Sequence, residues 1–108
     1  MDIEKLREIE ARARGVVVAN LDGWWLLSLK VVGPASNVTI RVTIRVEGVA
    51  TEVVSVRGVG SRCCSVMRQT LPEYITPRGA RDAAASLTVA ATVAEKLRDL
   101  AAEYDEEA

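Results

Sequence analysis

The segment Asn37–Gly48 reads NVTIRVTIRVEG. Val38, Ile40, Val42, Ile44 and Val46 take every second position, and Thr39, Arg41, Thr43 and Arg45 fill the places between. An alternation of period two makes a strand with one face in a core and one face turned outward. The outward residues are either solvent cover or the floor of a binding site, and the surrounding chain bears on which.

Working outward, WWLLSLKVV at 24–32 is rich in strand formers and is joined to the central segment by the loop GPAS at 33–36. Glu47-Gly48 predicts a tight turn into a strand over 49–57, and VVV at 16–18 predicts a short first strand, followed by the turn signal NLDG. Residues 2–14 read as an amphipathic helix along Ile3, Leu6, Ile9 and Ala13, started by Asp2 and ended by Gly15. After GVGS at 58–61, a short helix is expected from Arg62 to Leu71, with Ser61 as its cap and Pro72 as its stop. Thr76-Pro77 then opens a final helix over 78–104, with Leu87, Ala91, Ala94, Leu97, Ala101 and Tyr104 along one side. The expected fold is α+β, a single domain over residues 1–108 with 105–108 frayed. It comprises an N-terminal helix, a four-stranded antiparallel meander, a short helix and a long C-terminal helix, the helices packed on one face.

Loop lengths suggest a register. A four-residue loop places Val32 opposite Asn37, hence Trp25 opposite Ile44, Leu27 opposite Val42 and Leu29 opposite Ile40. All six of those later residues are apolar and belong to the core. The outer face then sets Trp24 opposite Arg45, Ser28 opposite Arg41 and Lys30 opposite Thr39. The tight turn adds Ala50, Glu52, Val54 and Val56 to it, and Val17 and Ala19 join from the first strand. This is a partly apolar floor with one large ring and three cations.

Composition narrows the class. The chain has 108 residues, enough for one core, and no apolar run near the roughly 18 residues of a membrane span. Without a secretory leader at its start, it reads as a soluble, cytoplasmic protein. Histidine is absent, Asn and Gln are scarce, and arginine outnumbers lysine eleven to three, a bias that points to a thermophile and, with the family resemblance, to an archaeon, although high genomic GC produces some of the same bias. The net charge of −1 hides an asymmetry: residues 1–10 carry −2, residues 82–108 carry −5, and residues 11–81 carry +6. A basic middle between acidic ends suits a nucleic-acid face, although helix-dipole compensation and an acidic tail produce the same split.

Two function classes follow. In the first, Trp24 stacks bases, Lys30, Arg41 and Arg45 meet phosphates, Thr39 and Thr43 line the face, and Val54 and Val56 form its floor, so the face binds single-stranded DNA or RNA with little sequence preference. In the second, the same face is an oligomer or protein interface; a Trp24–Arg45 cation–π pair and an Arg41–Glu52 ion pair would account for its residues structurally. The GVGS turn, with Arg57 and Arg62 beside it, is a candidate phosphate seat at a helix start, or simply the end of a strand. Cys63 and Cys64 read as small buried hydrophobes. They are too few for a disulfide framework or a zinc site, so no metal and no cofactor are expected. No carboxylate pair recommends itself as acid and base, so a non-enzymatic protein is expected. The final helix, about 40 Å long and alanine-rich, allows a homodimer through that helix or through the sheet face.

Two family resemblances rest on these segments. The order helix, strands, helix, with GPASNVTIRVTIRVEG between strands, resembles a double-stranded RNA-binding domain. Gly33-Pro34 matches the loop of that family, while Ala35 and Ser36 replace its histidine-bearing end and Arg78 and Arg81 stand for its lysines. GWWLLSLKVV with NVTIRVTIRV is similar to the cleft of the ThermoDBP group of thermophilic archaea, small helix-and-sheet proteins. That resemblance implies single-stranded nucleic-acid binding in an apolar cleft edged by basic residues, and oligomerisation.

Overall fold

A computed structural model of the chain describes residues 3–21, 24–34, 37–46, 52–60, 63–68 and 76–105. The elements are α1 (Ile3–Asn20), β1 (Trp24–Val32), β2 (Thr39–Val46), β3 (Glu52–Val59), β4 (Cys63–Arg68) and α2 (Pro77–Asp105). The four strands form one antiparallel sheet in the order β1-β2-β3-β4, with β1 and β4 at its edges. Both helices lie on one face, α1 over β1 and α2 mainly over β3 and β4. The α+β reading is correct, with two of its elements exchanged.

The first exchange is at Val16–Val18, which continues α1 instead of forming a strand. Valine loses rotamer freedom in a helix, but the loss is a few tenths of a kcal/mol. Continuing the helix lets Val17 extend the stripe of Ile9 and Ala13 at spacing i, i+4, i+8, and all three are buried. Burying a valine side chain is worth about 1.5–3 kcal/mol, so packing wins over propensity. Gly15 does not stop the helix, and Ala19 lies exposed on it rather than on a sheet. The end of α1 is held by Asn20, whose Nδ2 donates to the Val16 carbonyl at 2.7 Å while its Oδ1 accepts from Lys96 Nζ at 3.0 Å.

The second exchange is at 63–68, a strand where a short helix was expected. The segment CCSVMR alternates: Cys64 and Val66 pack against the core, while Cys63, Ser65 and Met67 are exposed. Pairing along β3 supplies the backbone bonds that a helix of that length would have had to find internally. The expected cap Ser61 and stop Pro72 lie outside the described residues, as do the turn at Glu47-Gly48, Ala50 and the tail 106–108.

The core is aliphatic: Ile40, Val42 and Ile44 of β2, Val54 and Val56 of β3, and Val93, Leu97 and Ala101 of α2 are all buried. Along α2 the buried stripe runs Ala83, Ser86, Ala90, Val93, Ala94, Leu97, Leu100, Ala101 and Tyr104. Leu87 is only half-buried and Ala91 is exposed, one step to the side of the expected stripe. Gly58 shows why α2 sits so close to β3. A Cβ added there would lie 2.6 Å from the backbone of Leu97 and Arg98, so glycine permits the approach. Gly60, at φ 51°, turns the chain beneath the Asp105 carboxylate.

The N-terminus of α2 is as expected: Thr76 Oγ1 accepts from the Gly79 amide at 3.0 Å, and Pro77 is the first helical residue. The two helices run antiparallel. Arg12 of α1 pairs with Glu103 and donates to the Tyr104 hydroxyl at 3.1 Å, and Lys96 meets Asn20 further along. Lys5 and Arg12 both lie near the Tyr104 ring, 5.5 and 5.7 Å from its centroid. Glu103, and then Tyr104, hold the Arg12 guanidinium charged to a pH above its ordinary range.

Candidate functional site

The face of the sheet away from the helices is built by parity. On β2 it carries Thr39, Arg41, Thr43 and Arg45, as the alternation of that segment required. Its neighbours, however, are not those expected.

Between β1 and β2 the register near the loop is Val32 to Thr39, Val31 to Ile40, Lys30 to Arg41, Leu29 to Val42 and Ser28 to Thr43. This differs by two residues from the loop-length estimate, so the faces are preserved there. A bulge between Leu26 and Ser28 then shifts the ladder by one, giving Leu26 to Ile44, Trp25 to Arg45 and Trp24 to Val46. One extra residue reverses every side chain beyond it. Trp24 therefore packs against the core, contrary to its expected role as the stacking ring. Trp25 takes the outer position and is 58% exposed, with Leu27 beside it at 50%.

Between β2 and β3 the pairs are Arg45 to Val53, Thr43 to Ser55, Arg41 to Arg57 and Thr39 to Val59. The connection across 47–51 is longer than a two-residue turn, and the resulting shift of three residues reverses the face of β3. Val54 and Val56, expected as the floor of the site, are buried under α2. Glu52 pairs with Val46 in register, away from Arg41. Ser55 and Arg57 turn outward instead, and β4 adds Met67 opposite Ser55 and Ser65 opposite Arg57.

The outer face is thus a grid of rows crossing the strands. One row is Lys30, Arg41, Arg57 and Ser65; the next, towards Trp25, is Ser28, Thr43, Ser55 and Met67. Thr43 Oγ1 and Ser55 Oγ are hydrogen-bonded at 3.3 Å. Lys30, Arg41 and Arg57 are all exposed, and among the described residues no carboxylate is paired with any of them. Directly opposed like charges oppose folding, on the scale of about 0.2–1 kcal/mol that cross-strand pairs command. Arg45, half-buried across from Trp25, is engaged within the chain.

The remaining candidates change. Arg57 belongs to the cation row, and the GVGS segment precedes a strand, so no helix N-terminus stands there to seat a phosphate. Arg62 lies outside the described residues. Cys63 is exposed and Cys64 half-buried, on opposite faces of β4, with Arg98 Nη1 donating to Cys64 Sγ at 4.0 Å. Among the described residues no cluster of three or more His, Cys, Asp or Glu could hold a metal ion. No described helix is long and apolar enough to cross a membrane.

Trp25, Leu27, Ser55, Ser65 and Met67 are outer-face residues that the sequence reading missed. Trp24 to Leu27 contains no polar residue to set the phase of the strand, so a bulge there leaves no trace in the pattern. Ser55 and Arg57 did leave one, alternating with Val54 and Val56, but the assumed tight turn overrode it. No protein-family model, curated protein or solved structure matches this chain.

Proposed function

We propose that this chain binds single-stranded nucleic acid on the outer face of its sheet. The observation that carries the reading is the row Lys30–Arg41–Arg57, three opposed cations without a carboxylate partner among the described residues, with the exposed ring of Trp25 two rows away on the same face. A like-charged row that opposes folding is accounted for if an anionic ligand neutralises it. Phosphates do so, with release of counterions, and Trp25 offers a stacking surface worth about 1–3 kcal/mol per base. An open strand suits the face better than a duplex, whose bases already stack on each other.

A protein interface is the second reading. It is favoured by the exposed apolar side chains Trp25, Leu27, Val32 and Met67, of which Met67 is 68% exposed. Two copies stacked face to face would also bury six like charges, which is costly without partners. That counts against a homodimer through this face and leaves an acidic partner as the alternative.

The test is tryptophan fluorescence of the chain and of Trp25→Ala during titration with single-stranded DNA, single-stranded RNA and duplex at two salt concentrations. Quenching by single strands that weakens with salt and is lost in Trp25→Ala is the expected result. No response to any nucleic acid at low salt overturns the reading in favour of a protein partner.

A further inference from the structure

The row next to the cations, on the side of Trp25, is made of hydroxyls: Ser28 stands opposite Thr43, and Thr43 opposite Ser55. Rows on one face of a sheet lie two residues apart, about 7 Å. Adjacent strands are about 4.8 Å apart, so the Cα atoms of Lys30 and Arg57 span about 10 Å. A stacked strand advances about 3.4 Å per phosphate, so three consecutive phosphates fit within the reach of these long side chains. With the phosphates there and a base against Trp25, the sugars must lie over the hydroxyl row, because a sugar joins phosphate to base in every nucleotide.

The chemistry of that row favours one sugar. A serine or threonine hydroxyl both donates and accepts. In the Thr43–Ser55 bond one hydroxyl hydrogen is used, which leaves the other hydrogen and spare lone pairs for a ligand. A ribose brings a 2′-hydroxyl, also donor and acceptor, whereas a deoxyribose brings only C–H at that position. Covering these hydroxyls with deoxyribose removes their water and returns nothing, which is the expensive case for a polar group. We infer that the ligand is RNA, its backbone crossing the strands along Lys30, Arg41 and Arg57 and its 2′-hydroxyls meeting Thr43 and Ser55; the inference rests on the nucleic-acid reading of this face.

The experiment compares oligocytidylate with oligodeoxycytidylate of equal length by fluorescence anisotropy at low salt, so that the two probes differ only in the sugar. The full chain should bind the RNA about fivefold or more tightly, the effect of one or two net hydrogen bonds. In Thr43→Val/Ser55→Ala, with its fold checked by thermal melting, the preference should vanish: the RNA affinity falls and the DNA affinity holds or rises, because no hydroxyl is left to be covered without a partner. Thr43→Ser should keep the preference. Equal affinities in the unmodified chain, or a preference that survives the double substitution, overturn the assignment of RNA while leaving nucleic-acid binding in place. Binding of neither probe overturns both.

Discussion

Arg41 and Arg57 face each other in register across the β2–β3 ladder, and Lys30 faces Arg41 from the other side. A sheet selected for stability alone would place a carboxylate among them. Replacing Arg41 or Arg57 with Gln should therefore leave stability unchanged, or raise it by up to about 1 kcal/mol, because like-charge opposition is relieved. Binding should weaken for every sequence. The salt slope for single strands, about −2 with three phosphates engaged, should become shallower by about 0.7 per substitution. Melting curves and anisotropy across a salt series measure both. A clear loss of stability would mean that these arginines hold the fold together.

Trp24 and Trp25 should behave oppositely. Trp24→Ala removes a ring packed on the core and should destabilise by a few kcal/mol. Trp25→Ala removes an exposed ring and should stay within about 0.5 kcal/mol of the parent, while losing about 1–3 kcal/mol of binding. Denaturant unfolding and the titration separate the two effects. Equal destabilisation by both substitutions would refute the bulged register.

Gly58 and Gly15 form a second opposed pair. Alanine at Gly58 meets the α2 backbone and should destabilise by about 1–3 kcal/mol or more as the helix is pushed off the sheet. Alanine at Gly15 meets nothing within 4 Å and sits inside α1, so it should stabilise by about 0.5–1 kcal/mol. Chemical denaturation of the two variants decides the matter, since the predictions differ in sign.

Thr76→Ala should cost about 1 kcal/mol by leaving the Gly79 amide without its acceptor, and Thr76→Ser should restore most of it. Faster hydrogen exchange confined to the first turn of α2 is the accompanying local signature.

Tyr104→Phe should cost about 0.5–1.5 kcal/mol, because Arg12 loses the hydroxyl acceptor that ties α1 to α2 while retaining Glu103. The comparison with Arg12→Gln, by thermal melting, shows how far the two helices depend on this junction.

The sequence by itself determined the faces of β2, because an apolar residue at every second position admits only one way of burying Ile40, Val42 and Ile44 together. It also determined the start of α2, because a threonine followed by proline satisfies the first-turn amides locally. Where the local signal was degenerate, the tertiary structure decided. Val16–Val18 became helical because Val17 could continue a stripe already buried against the core, which outweighs a small propensity cost. Cys63–Arg68 became a strand because β3 offered an unpaired edge. Which tryptophan faces outward was settled by a bulge in a run with no polar residue to fix its phase. The outward turn of Ser55 and Arg57 followed from a β2–β3 connection longer than the pattern implied. Register is a property of two strands and their closure together, and a shift of one residue exchanges the core for the site.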